Sequence, residues 1–204
     1  MNSSLALDAF TVTAEYGRSH TTFLVHAEGQ REPAARMHRD AAYDGLRPYE
    51  VRTGPEFSEI AGYVNDFKAF TPERAELGSV AHKQRTTGPD SWTFTQHGLG
   101  ELTGLPEGAG AKVRHGSLLR MAFDATRTNA VLSHRLRFSS PASPASEGFA
   151  FVRHTGIRAR YSVEVHDPRV DRLLVLACIA HYNRFVAADP RQFTSTLTAN
   201  PFKN

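Results

Sequence analysis

The chain has 204 residues, of which 40% are hydrophobic and 22% charged, so it fits one ordinary globular core and excludes a disordered or fibrous protein. Its net charge of +3 is too small to imply nucleic-acid binding, and its single cysteine, Cys178, excludes an intrachain disulfide. No window approaches the ~20 apolar residues of a membrane span, and the start MNSSLALDAF lacks the basic region of a signal peptide. We therefore expect a cytoplasmic protein, for which peripheral contact with a membrane surface stays open.

Alternation of apolar and polar residues is the dominant pattern, and it predicts strands with one dry and one wet face. The predicted strands are 10–16, 21–28, 92–96, 117–123, 132–138 and 157–165. In the last of these, Tyr161 and Val163 share the dry face, whereas Arg158 and Arg160 share the wet one. His134 shares a dry face with Leu136, which favours a core histidine over a metal ligand.

The segments between these strands have weaker patterns. Residues 33–46 are compatible with a short helix or a loop. At 55–67 apolar residues recur at helical spacing, which favours a helix, although nearby glycines and β-formers keep a strand possible. The Gly/Pro-rich stretch 104–110 predicts a turn, and the Pro/Ala/Ser-rich stretch 139–148 predicts a flexible hairpin loop.

A helix is predicted at 168–185, with Asp167 as its N-terminal cap and Pro168 in its first turn. Its residues 173–180 are all apolar, so packing on one open sheet would leave large side chains in water, each at a cost of about 1.5–3 kcal/mol. A closed antiparallel β-barrel with this helix in its middle buries them all. A two-layer α+β sandwich is the alternative.

Three stretches resemble the tubby C-terminal-like superfamily, which includes the LURP-one-related and phospholipid scramblase proteins. They are ELGSVAHKQRTTGPDSWTFTQHGLGELTGL, RLRFSSPASPASEGFAFVRHTGIRARYSVEV and VEVHDPRVDRLLVLACIAHYNRF, within 76–186. The resemblance implies a single domain over 1–204, a barrel of about twelve strands around a C-terminal hydrophobic helix. The segment 30–75 would be a poorly matched part or insertion, and 186–204 a tail.

Arginines are the best candidates for a binding site, because segment 101–160 carries +5 and the rest of the chain −2. Guanidinium groups bind phosphates through two parallel hydrogen bonds. If the later hairpins are neighbours, one outer wall collects Arg135, Arg137, Arg153, Arg158 and Arg160. Tubby domains bind phosphoinositide headgroups through basic surface residues, so the resemblance implies an anionic-lipid site. The alternative is a solvated face whose arginines pair with Glu147 or Glu164.

Catalytic signatures are missing from the sequence: it contains neither GxSxG nor HExxH, and we expect no catalytic residue, metal or cofactor. The favoured function is a non-enzymatic binding or scaffold module for an anionic phospholipid, a phosphate compound or an acidic protein. Nucleic acid is disfavoured because few aromatic residues accompany the arginines. Two alternatives remain: an enzyme with His154, His166 and His181 at the barrel mouth, and an assembly subunit that contacts a neighbour through 30–75 and 186–204.

Overall fold

A computed structural model describes residues 5–17, 19–40, 47–83, 90–107, 133–141, 143–156 and 158–185. They form a closed antiparallel barrel in which each strand pairs with its sequence neighbours and the last strand returns to the first. One helix, α1 (Arg172–Phe185), runs through the middle. The strands are β1 (Ala9–Tyr16), β2 (Thr21–Ala27), β3 (Ala35–Arg39), β4 (Tyr49–Thr53), β5 (Glu59–Val64), β6 (Lys68–Phe70), β7 (Glu76–Lys83), β8 (Ser91–Gln96), β9 (Gly100–Glu107), β10 (His134–Ser140), β11 (Ser143–Arg153) and β12 (Arg160–Val165). The predicted barrel around a C-terminal helix is confirmed.

The apolar face of each alternating strand points into the barrel. In β12 Tyr161, Val163 and Val165 are buried, and between them Ser162 and Glu164 face outward. His134 at the start of β10 is completely buried, as the pattern predicted. The predicted strand 117–123 lies outside the described residues.

The region 30–75 contains strands where we expected a helix. β3 occupies part of 33–46, and the predicted helix at 55–67 is wrong: only a three-residue 3-10 turn, Pro55–Phe57, precedes β5. The helical spacing there does not mark a buried stripe, because Phe67 is 47% exposed. Pairing of β5 with β4 and β6 satisfies its backbone instead.

Two predicted turns also extend the sheet. β9 continues through Gly104 to Glu107, although 104–110 predicted a turn. The hairpin at 139–148 exists, but β10 reaches Ser140 and β11 begins at Ser143. The prediction that this whole stretch is a flexible loop is therefore wrong. Register shifts after Phe138 absorb the irregular pairing of this stretch.

The helix begins four residues later than the sequence predicted. Its cap is Asp171, whose Oδ1 accepts the N–H of Leu173 at 2.8 Å, whereas Asp167 accepts the N–H of Arg169. The chain between them crosses the barrel end. Gln96 fixes this crossing, since its Nε2 donates to Arg169 O and its Oε1 accepts the N–H of Asp171, both at 2.7 Å.

One side of α1 lies directly against glycines of the wall. A Cβ on Gly62 would stand 2.6 Å from Leu173 Cδ1, and one on Gly78 would stand 2.9 Å from Leu174 Cδ2 and 2.1 Å from Thr95 O. A side chain at either position would collide with the backbone of the neighbouring strand and with a leucine of the helix. The first turn of α1 therefore packs its leucines against bare backbone on β5 and β7.

Aromatic rings fill the space on the other side of the helix. Phe138 and Phe149 stack at 4.4 Å between ring centroids, and Phe94 lies 4.9 Å from Phe149. Tyr182 on α1 meets Phe151 edge-on at 5.2 Å. The helix is thus enclosed on all sides, and its residues from Leu173 to Ala180 are at most 7% exposed.

Within the described part of the chain, no helix has the length and apolar character that a membrane span requires.

Polar contacts at the C-terminal end of α1 fix its depth in the barrel. Asn183 Oδ1 accepts the hydroxyls of Tyr16 at 2.8 Å and Tyr161 at 2.9 Å. Arg184 pairs with the carboxylate of Asp66, which is 2% exposed and lies 3.6 Å from Arg39. A helix that slid along its axis would leave this buried carboxylate without its cations.

We predict that Leu176→Ala destabilises the protein by about 3–5 kcal/mol, because it leaves a cavity in a closed interior that cannot collapse around it. The matched control is Leu105→Ala on β9, where the side chain is 56% exposed and the same change should cost less than about 0.5 kcal/mol. Urea unfolding followed by circular dichroism measures both. Equal losses for the two variants would contradict the enclosed helix.

Candidate anion-binding surface

The strands that carry the predicted arginines are neighbours in the order β10, β11, β12. Arg135 stands opposite Val152, which stands opposite Ser162, so Arg135 and Arg160 belong to adjoining parts of one outer wall. The predicted set nevertheless divides into three environments, which differ in burial and in their partners.

Arg135 and Arg137 are half-exposed and paired with carboxylates. Nε of Arg135 lies 3.1 Å from Glu107, and its NH2 lies 3.6 Å from Glu164. Arg137 also approaches Glu107, at 3.8 Å. Cross-strand pairing, which the sequence left open as the alternative, therefore describes these two arginines. Glu107 was missed as a partner because its segment predicted a turn and not a strand.

Arg153 does not belong to the outer wall, and this part of the prediction is wrong. It is 2% exposed, because the alternation of β11 turns its side chain inward. Its guanidinium donates to the carbonyl oxygens of His154 and Gly156, the latter at 2.9 Å. It tightens the connection between β11 and β12 from inside.

Arg158 and Arg160 are exposed, and neither forms an ion pair with any residue that the structure describes. Beside them on the outer wall, His154 Nε2 lies 2.7 Å from Ser162 Oγ. Partial burial lowers the pKa of His154, and the positive charges of Arg160 and Arg153 lower it further. The local field at the start of β12 is therefore positive.

The three histidines of the enzymatic alternative do not share one site. His154 follows β11 and its N–H donates to Arg160 O at the start of β12, whereas His166 follows the end of β12. Six strand residues separate these points by about 20 Å. His181 lies on α1 inside the barrel, where its ring meets Trp92 edge-on at 5.5 Å.

The interior around His181 is a structural cluster. Trp92 stacks on His82 at 4.2 Å, and Asp90 lies 3.2 Å from His82 Nε2 with both side chains 4% exposed. Burial lowers the pKa of His181 to about 4, although a hydrogen bond to the backbone of Asp66 opposes this shift. Burial likewise raises the pKa of the Cys178 thiol, so Cys178 packs as a small apolar residue.

A metal centre finds no support in the described part of the chain, where no group of three histidine, cysteine or carboxylate side chains could hold an ion. Asp167 pairs with Arg169, and Asp171 caps the start of α1.

Comparisons with known proteins return no match to any family model, curated protein or solved structure. The resemblance to the tubby C-terminal-like superfamily therefore stays a prediction.

We predict that stability falls between about pH 6.5 and pH 4 because His181 stays neutral when folded and takes up a proton when unfolded. The sign follows from the lowered pKa: the unfolded state binds more protons in this window, so acid favours it, by about 2–3 kcal/mol at the low end. His181→Gln should remove that part of the decline. Since Asp66, His82 and Arg184 surround the ring and are retained, the difference between the two urea-unfolding profiles isolates His181.

Equal slopes for the two proteins across this window would show that His181 is not held neutral.

Proposed function

We propose that the protein is a non-enzymatic binding module that holds a phosphate-bearing anion, foremost an anionic lipid headgroup, at Arg158 and Arg160 on its outer wall. The observation that carries the proposal is the contrast within one wall: Arg135 and Arg137 are paired with carboxylates, whereas Arg158 and Arg160 form no ion pair with the described residues. Exposed guanidiniums without a carboxylate keep their donors available to a ligand.

The filled interior supports an external site. The helix and the aromatic rings occupy the space that wider or emptier barrels use for a ligand, and the largest side chains there are fully buried. A ligand of any size must then meet the outer wall or one of the barrel ends. Of the five predicted arginines, only Arg158 and Arg160 combine exposure with freedom from these carboxylates.

The neighbours of this site on β1 include one neutral residue and one acidic residue. Thr13 on β1 pairs with Arg160 in register and carries no charge. Glu15, exposed two residues further along the same outer face of β1, is a carboxylate that would repel an anion. The proposal therefore predicts opposite effects from changing the arginines and from changing Glu15.

We expect the double variant Arg158→Glu, Arg160→Glu to lose binding to phosphatidylcholine vesicles that contain phosphatidylserine. Each arginine near an anionic surface contributes about 1 kcal/mol, so removing two weakens binding at least ~30-fold before the added repulsion. Vesicle co-sedimentation at low and high salt measures this, and the wild-type interaction should weaken with salt. Glu15→Gln should strengthen it.

The matched control is Arg31→Glu, Arg74→Glu, which makes the same charge change at two exposed arginines elsewhere on the barrel. If both double variants lose binding equally, the effect is one of net charge and the assigned site is wrong. Competition with inorganic phosphate, compared with sodium chloride at the same ionic strength, separates a local site from diffuse attraction. Phosphate should displace vesicles held at the two guanidiniums, whereas both salts weaken diffuse attraction equally. Unchanged binding of the first variant would rule the site out.

A further inference from the structure

The end of the barrel at the helix N-terminus is acidic. In an up-and-down barrel alternate connections emerge at the same end. Here the described connections are 5–8, 28–34, 54–58, 71–75, 97–99, 166–171 and Pro141 between β10 and β11. In these segments seven carboxylates stand against three arginines.

A pocket of about 530 Å³ opens at this acidic end. Its walls include the apolar side chains of Leu5, Ala61, Leu77 and Leu173, so its floor is the outermost layer of the core. Glu73 stands at its rim and is exposed. The volume falls within the range of small-molecule sites.

The cations that line this pocket are already engaged. Arg169 donates through Nε and NH2 to the carboxylate of Asp167, at 2.7 Å for the NH2 contact. Arg172 is 4% exposed in its side chain and donates to Leu7 O and Asp8 Oδ1, both at 2.9 Å. Neither guanidinium can turn toward Glu73 without breaking these bonds.

Glu73 itself is held in its ionised form. Hydrogen bonds from its own backbone N–H and from the hydroxyl of Thr71 lower the pKa of its carboxyl group. Thr71 also closes the connection between β6 and β7, since its N–H donates to Ala75 O at 2.9 Å and its hydroxyl oxygen accepts the N–H of Ala75 at 3.3 Å. The apolar floor of the pocket therefore lies beside the negative charge of Glu73. The surrounding acidic end of the barrel repels anions.

We propose that this pocket binds a small amphiphilic organic cation, whose apolar part covers Leu77 and Leu173 and whose ammonium group pairs with Glu73. The combination selects against the two simpler ligand classes. An apolar molecule without charge gains nothing from the acidic end, and an amphiphilic anion meets repulsion from it. This site is independent of the arginines at the start of β12.

The test uses a matched pair of probes, 4-phenylbutylamine and 4-phenylbutyrate, which share an apolar part and differ in the sign of the charge. Titration of isotope-labelled protein, followed by amide NMR, should show saturable shifts for the amine at Leu77, Gln96 and His97 and none for the carboxylate. Glu73→Gln should weaken amine binding about three- to fivefold, as expected for one exposed ion pair. Glu32→Gln, on the same acidic end but outside the pocket lining, should leave it unchanged.

A second variant fills the cavity and leaves Glu73 unchanged. Ala6 lines the pocket and is exposed, so Ala6→Trp should fill the mouth and abolish amine binding without unfolding the protein. Vesicle binding through Arg158 and Arg160 should survive this change, which keeps failure of this site distinct from failure of the proposed function. Equal binding of amine and carboxylate, or amine binding that persists in a folded Ala6→Trp variant, would overturn the proposal.

Discussion

The structure depends on one constraint: a helix that is apolar around its whole circumference has to be removed from water on every side. No single sheet face can do this, because Leu174, Leu176 and Ile179 point in different directions around α1. Twelve strands that close on themselves can, and closure also pairs the edges of the sheet. The hydrophobic effect of one segment thus sets the architecture of the rest.

The barrel meets its helix by two opposite devices. Glycines on β5 and β7 remove side chains where the helix approaches the wall, and stacked phenylalanines supply volume where it does not. Together they leave the helix residues from Leu173 to Ala180 at most 7% exposed. The buried pair of Asp66 with Arg184 then fixes how far the helix extends, so packing sets the lateral position and charge sets the axial one.

A filled interior moves every candidate binding event to the outside of the molecule, and the two candidate sites use different parts of it. Arg158 and Arg160 stand on the outer wall near the C-terminal end of α1, and the apolar pocket opens at the opposite, acidic end. The two candidate sites therefore lie apart on the molecule, and the side chains that define them carry opposite charge.

Strong local patterns in the sequence predicted much of the architecture. Strict alternation in 157–165 and the unbroken apolar run 173–180 predicted β12 and the buried helix, and they favoured a closed barrel while a two-layer sandwich stayed open. The count of about twelve strands came from the family resemblance. Weaker patterns led to wrong predictions of secondary structure. At 55–67 the spacing of four apolar residues predicted a helix, but pairing with β4 and β6, invisible in a local window, made a strand.

The candidate site shows the same division. The sequence by itself determined that five arginines lie on the later hairpins, and it limited their chemistry to anion binding or cross-strand pairing. Only the tertiary structure decided which fate each has: Glu107 reaches Arg135 across β9 and β10, Arg153 turns inward, and Arg160 stays exposed. The physical reason is that the alternation of a strand fixes only which face a side chain takes. Its partners come from neighbouring strands, whose register is set by closure of the whole barrel.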